Sequence, residues 1–359
     1  MTIAEFLDVL ARQMPLDKAA SWDPVGLQLG DGGAEATSVS VCHEVTPEVV
    51  AAAESEPPSL LISYHPLLFG PITRLVLEES AAGRAFRLTR AGVALAVVHT
   101  AFDVAPGGGA DALAAAIGLE NTIGFAPVWG PDSVKVTTFV PPESVEHVAA
   151  AMSSAGAGQI GNYSACSFRV EGMGMFVAEE GAEPAFGVLG ETTKAGEVRL
   201  EMSVPRSHVA GVAAALSAAH PYEEPAFDVV DRVGDAGMAG RVGTMAPDTT
   251  LGDLAATVES ALGSAPRVAG DPLSPVGRAA VVPGSGSDFF EDALAAGAQA
   301  IVTADVSHHR ARHALELGLA VIDPGHAATE RPGVGSLYAA VQHVAPAANL
   351  IDHDPDPWR

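Results

Sequence analysis

Apolar positions in this chain follow two alternating periods. Ile3, Phe6, Leu7 and Leu10 are spaced as one face of an amphipathic helix. Short apolar runs follow, VSVCHEV at 39–45, LLISYH at 60–65 and VALAVVH at 93–99, each succeeded by turn or helix signals. That alternation predicts strands and helices in turn, forming a mostly parallel sheet covered by helices. The same style resumes late in the chain with GRAAVVPGSGS at 277–287, AQAIVTAD at 298–305 and LAVIDPGH at 319–326.

The intervening segment is patterned differently. Val134 to Pro141 predicts a strand, followed by a helix with Val145, Val148, Ala149 and Met152 on one face. The pattern recurs 64 residues later: Val198 to Pro205 is again a strand ending Val-Pro, and Val209, Val212, Ala213 and Leu216 again form a helical stripe. With further strand-like runs at Ser167 to Val177 and Phe227 to Val230, the repeat predicts a duplicated split βαβ of ferredoxin-like type. The proline-rich stretch at 127–131 and the glycine-rich one at 234–243 read as linkers. The predicted architecture is therefore α/β with a discontinuous outer domain, residues 1–130 and 240–359. An α+β insert, residues 132–233, interrupts it.

Composition narrows the function. A net charge of −25 disfavours nucleic-acid binding, which depends on Lys and Arg neutralising phosphates, and 5% aromatic content offers few stacking platforms. A small anionic substrate stays compatible, because bound metal ions reverse the local sign of a site. Cys42 and Cys166 form no C-x-x-C pair and read as reduced thiols of a cytoplasmic protein. The N-terminus lacks the basic start and apolar stretch of a signal peptide, and no run reaches the ~18 apolar residues of a membrane span.

The chemistry is expected where parallel strands end. His65 follows SLLIS, His99 and Asp103 follow VALAVV, Asp305, His308 and His309 follow AQAIVTA, and His326 follows LAVIDPG. One such residue is usually a turn or cap residue. Several, each ending a separate strand along one rim of one sheet, point to a metal site. His326 and Glu330, four apart, share one face of a helix and suit Zn, Mn or Fe. Cys42 reads as core, with His43 and Glu44 candidates for the rim. Gly284-Ser-Gly-Ser287 is either a phosphate cradle or a tight turn, and Gly107 to Gly109 read as chain reversal.

These residues resemble the NGG-interacting-factor-three-like family, also known as GTP cyclohydrolase I type 2 homologues. The resemblance rests on WDPVGLQLG at 22–30, ISYHPLLF at 62–69, HTAFDVAPGG at 99–108, GRVG at 240–243, TADVSHH at 303–309 and DPGHAATERPG at 323–333. The insert resembles the family's PII-like or CutA-like module through GAGQIGNYSACSF at 156–168 and AHPYEEPAFDV at 219–229. The resemblance implies a toroidal homohexamer with up to two divalent metal ions per subunit. His65, Asp103, His326 and Glu330 match family ligands, with Asp103 or Glu330 bridging.

Two departures matter. Many members read His-His-Pro where this chain has Tyr64-His65-Pro66. Three outcomes are open: Tyr64 binds as a phenolate, a neighbouring His43 or His99 substitutes, or one ion is weakly held. The ordinary tyrosine pKa near ~10 favours the last. The family's Gly-Asp is Ala304-Asp305 here.

The activity implied by the resemblance is metal-dependent hydrolysis of a nucleotide, opening the imidazole ring of GTP and releasing C8 as formate. His99 and His309 are the candidates for proton transfer. Phosphate-ester cleavage is an alternative, and so is a non-catalytic metal- or nucleotide-responsive scaffold.

Overall fold

The strands Val39–Cys42, Leu60–Ser63, Ala94–Val97 and Ala300–Ala304 are buried at every position, which explains why the sequence shows unbroken apolar runs there rather than alternation. In the computed structural model, which describes residues 1–20, 22–129, 133–160, 163–182, 184–231 and 237–358, the chain divides into two compact units. One comprises Met1–Trp129 with Gly237–Arg359 and the other Gly130–Ala236. The expected linkers fall in part on 130–132 and 232–236, outside the described residues.

The larger unit holds two sheets, not the single sheet expected from the pattern. The first has the order Gly26–Leu29, Ala94–Val97, Leu60–Ser63, Val39–Cys42, Asn349–Leu350, with every neighbouring pair parallel except the first. The second has the order Arg267–Ala269, Ala320–Asp323, Ala300–Ala304, Arg278–Ser285, Gly237–Thr244, Glu120–Trp129, and only its three middle strands, Ala320–Asp323 to Arg278–Ser285, are mutually parallel. Apolar periodicity reports that a strand is buried but not which sheet it joins.

Each sheet separates two cores. In the first, Val41, Leu60, Ile62 and Ala96 face one core with Phe6 and Leu10 of the N-terminal helix Ile3–Leu10, while Leu61, Leu95 and Val97 face the other. In the second sheet Val281 and Val302 face one core and Ala280 and Ile301 the other. The helix His326–Val344 serves both sheets, placing Leu337 and Val341 in a core of the first and Ala328 in a core of the second. It thereby sets the residues of its first turns among strand ends of both sheets.

The smaller unit has an antiparallel sheet in the order Phe168–Val177, Thr192–Pro205, Ser133–Val140, Phe227–Asp231. Helices Val145–Ser154 and Val209–Ala219 complete the βαββαβ chain order read from the repeat. The two repeated strands are direct neighbours, with Val134 opposite Val204 and Val140 opposite Val198. Val148, Met152, Val212 and Leu216 of the helical stripes share their core. No helix among the described residues is long and apolar enough to cross a membrane.

Candidate metal centre

Parallel pairing continues past the ends of the strands and builds the centre. Beyond Val39–Cys42 and Leu60–Ser63, the Tyr64 amide donates to the Cys42 carbonyl at 3.0 Å and the His65 amide to the His43 carbonyl at 2.9 Å. His43 and His65 are thus neighbours by register, with ring centroids 5.6 Å apart and stacked. The His99 amide bonds the Tyr64 carbonyl at 2.9 Å, bringing the third strand end into line. Cys42 is core, as read from its pattern.

Glu330 closes the cluster from the other sheet's side. Its carboxylate is almost wholly buried, with Oε2 lying 2.6 Å from His65 Nε2 and 3.0 Å from His43 Nε2, and Oε1 lying 3.1 Å from His326 Nε2. The His326–Glu330 contact is the one-turn spacing expected of H-x-x-x-E on a helix. His326 Nδ1 is in turn held by Asp305 Oδ2 at 2.6 Å. Among the described residues, His43, His65 and Glu330 form the group whose ligand atoms all lie within 4.8 Å of one another.

Electrostatics follow from this packing. Burial alone would raise the Glu330 pKa, but the field of His65 and hydrogen bonds from His326, His43 and His65 hold it well below the usual carboxylate range. His326 loses hydration, which disfavours its charge, yet Glu330 and Asp305 outweigh that and push it up to about 10. Burial and the Glu330 charge push Asp103 up to about 7, against the opposing hydrogen bond from Tyr64. Tyr64 is fully buried, its hydroxyl donates to Asp103 Oδ1, and burial with the neighbouring carboxylates drives its pKa well above the ordinary value.

This donor set fits a divalent cation. Neutral imidazoles and a carboxylate are borderline-hard ligands suited to Zn, Mn or Fe. A buried carboxylate among imidazole nitrogens also needs compensating positive charge, from bound metal or from protonated histidine.

A second polar group adjoins it. His99 Nδ1 lies 3.0 Å from Asp23 Oδ2, which also accepts from the Thr100 amide at 3.0 Å. The His99 ring is 4.7 Å from that of His65, and Trp22 and Phe69, both well exposed, stand edge-on to it at 6.1 and 6.0 Å. His99 has φ of 25° and Asp305 φ of 57°, conformations that cost a non-glycine residue about 1–3 kcal/mol and tend to persist at functional sites.

Of the residues singled out from sequence, His65, His326 and Glu330 meet directly, and Asp103 joins through Tyr64. His309 is exposed on the helix His308–Leu317, its ring edge-on to His308. Glu44 is likewise exposed. The Gly284 amide is committed to Thr329 Oγ1 at 2.9 Å, which counts against a phosphate cradle there. Gly109 does more than reverse the chain: a Cβ there would lie 2.5 Å from Asp103 Oδ1. Asp23 is not singled out from the sequence, and His43 only as a rim candidate and a possible substitute for the missing imidazole. Their available signals were a histidine at the end of the run VSVC and an acid inside WDPVG.

Comparison with known proteins finds similarity along nearly the whole chain. A family model described as Duf34/NIF3 (NGG1p interacting factor 3) matches residues 1–356. A Mycobacterium tuberculosis protein named GTP cyclohydrolase 1 type 2 homolog is 40% identical over 341 residues, covering 93% of this chain and 89% of its own. One of the same name from Bacillus subtilis is 36% identical over 325 residues, covering 90% and 87%. The crystal structure of a Bacillus cereus protein related to NIF3 aligns with TM-score 0.68 at 33% identity, covering 100% of this chain and 99% of that one. A Staphylococcus aureus structure aligns with TM-score 0.73 at 27% identity, covering 100% and 98%.

Proposed function

Because the chain belongs to the Duf34/NIF3 family, we propose that it is a metal-dependent hydrolase acting on a nucleotide, with GTP the first substrate to test. The observation that carries this reading is the convergence of His43, His65 and His326 on the buried Glu330, beside a His99 oriented by Asp23. A divalent ion held there supplies Lewis acidity and lowers the pKa of water toward neutrality.

The chain's own residues supply the rest. Asp23 fixes His99 with its Nδ1–H toward the carboxylate, leaving Nε2 to accept a proton from attacking water and return it to the leaving nitrogen. Trp22 and Phe69 give the approach to His99 an apolar, aromatic rim suited to the face of a planar heterocycle. GTP as substrate comes from the relatives' name. Asp103 and Glu330 are the carboxylates offered for a second ion, His309 is the second candidate for proton transfer, and a PII-like role of the smaller unit and a toroidal homohexamer complete the reading.

The test is an assay of metal-loaded protein with GTP, following formate by coupled oxidation and phosphate by colorimetry. Formate release that disappears in His99→Gln and Glu330→Gln supports ring opening. Phosphate without formate favours the phosphoesterase alternative, and binding without turnover favours a regulatory scaffold.

A further inference from the structure

The donors around Glu330 are unequally distributed. Among the described residues, Oε2 gathers two imidazoles, His43 and His65, whereas Oε1 meets one, His326, whose other ring nitrogen is already held by Asp305. Asp103, close enough to Glu330 and His65 for their charges to act on it, is a further carboxylate that a second ion could use. Its Oδ1, however, accepts the hydroxyl of Tyr64.

Tyr64 is well placed to keep it there. The phenol is fully buried, its ring packs 5.7 Å edge-on to Phe102, and its backbone amide is pinned to Cys42. Gly109 closes the opposite side, where a Cβ would lie 3.0 Å from Tyr64 Oη. The hydroxyl donates to Asp103 Oδ1 and so occupies an oxygen that a second ion would need.

We propose that this protein holds one divalent ion tightly at His43, His65 and Glu330, and that Tyr64, by retaining Asp103, keeps a second position beside Glu330 weak. His43 is thereby a ligand in its own right, and Tyr64 is a positioning residue that sets metal stoichiometry. The inference rests on the metal-centre reading above.

The test is metal stoichiometry and affinity, read independently of turnover. Chelator-stripped protein is reloaded with Zn²⁺ or Mn²⁺, desalted and measured by elemental analysis, with calorimetric titration of the same samples. Wild type should retain one ion per chain and bind a second at least ~100-fold more weakly, whereas His43→Asn should weaken the tight ion by more than the ~10- to 100-fold that loss of an outer hydrogen-bond partner costs. Tyr64→Phe, which frees Asp103 with little change of volume, should strengthen the second position, and Tyr64→His should retain two ions. Thermal melts verify that each variant is folded, and if His43→Asn does not fold, the Tyr64 variants decide. Two equally tight ions in wild type, full affinity in folded His43→Asn, or a second position unchanged in Tyr64→Phe would each overturn the inference while leaving the metal centre standing. No retained ion in wild type would instead remove the metal-centre reading and this inference with it.

Discussion

His99 Nδ1 lies 3.0 Å from Asp23 Oδ2, a contact between residues 76 apart in the chain. Asp23 also accepts from the Thr100 amide, so one carboxylate oxygen fixes both the ring and the backbone that carries it. This is the arrangement that selects one imidazole tautomer.

Asp23→Asn should therefore leave the fold and the metal content intact and lower turnover by about 10²-fold, the lower end of what a positioned general base contributes. Steady-state kinetics beside elemental analysis checks this. An unchanged kcat at full metal content would remove the Asp23–His99 pair from the mechanism.

Gly284 should not tolerate a side chain. Its φ is +59°, and a Cβ there would lie 3.0 Å from Glu330 Oε1 and 3.2 Å from His326 Cε1 and Nε2. Gly284→Ala adds backbone strain of about 1 kcal/mol and crowds the two residues that share the Oε1 side. The expected outcome is reduced metal affinity and a lower Tm, measured by calorimetric titration and thermal denaturation. Gly318, at φ +88° with open space around it, is the control: Gly318→Ala should cost stability without altering metal binding.

Stability of the chelator-treated protein should fall as pH rises from about 4 to about 10. The folded His326 pKa, about 10, lies above its ordinary 6.5, so its contribution is full below 6.5 and is lost as pH climbs through 10. Asp103 shifts in the same sense, from 3.8 to about 7, because the folded state prefers it protonated, so a further loss is centred below and around neutrality. Glu330 acts oppositely: its depressed pKa contributes stability above 4.5 that disappears only in strong acid. Thermal melts from pH 5 to 10 should show two declines, the lower absent in Asp103→Asn and the upper in His326→Gln. The upper one is tempered by solvent, since the His326 side chain is 40% exposed. A melting temperature constant over that range would contradict both assignments.

Arg241, on the strand Gly237–Thr244, is buried and reaches Asp111 on the helix Gly109–Ala116 through Nε and through Nη2 at 3.3 Å. Asp111 also accepts from the Gly107 amide at 2.7 Å, fixing the loop that follows Asp103. Arg241→Leu strands a carboxylate that is only partly exposed and should destabilise the protein by about 3 kcal/mol, read as a lower urea midpoint at unchanged m-value. A cost below about 1 kcal/mol would show that the pair is no more than a surface ion pair.

By itself the sequence determined the local elements, the repeated halves of the smaller unit and part of the centre. Apolar period reports burial, which is why Ile3–Leu10 and the strands at 39–42, 60–63 and 94–97 were legible. The four-residue spacing of His326 and Glu330 is a property of any helix, so their contact needed no tertiary information. Only the tertiary structure decided that the outer unit has two sheets, since hydrogen-bond partners between strands leave no mark on periodicity. It also chose His43 among the candidates for the missing imidazole, because the neighbour of His65 is set by strand register, and brought in Asp23, because its role is a contact made across 76 residues. Tyr64 shows the limit most clearly: its identity in the chain signalled a missing imidazole, but that its hydroxyl is spent on Asp103 follows from burial and from the packing of Phe102 and Gly109 around it.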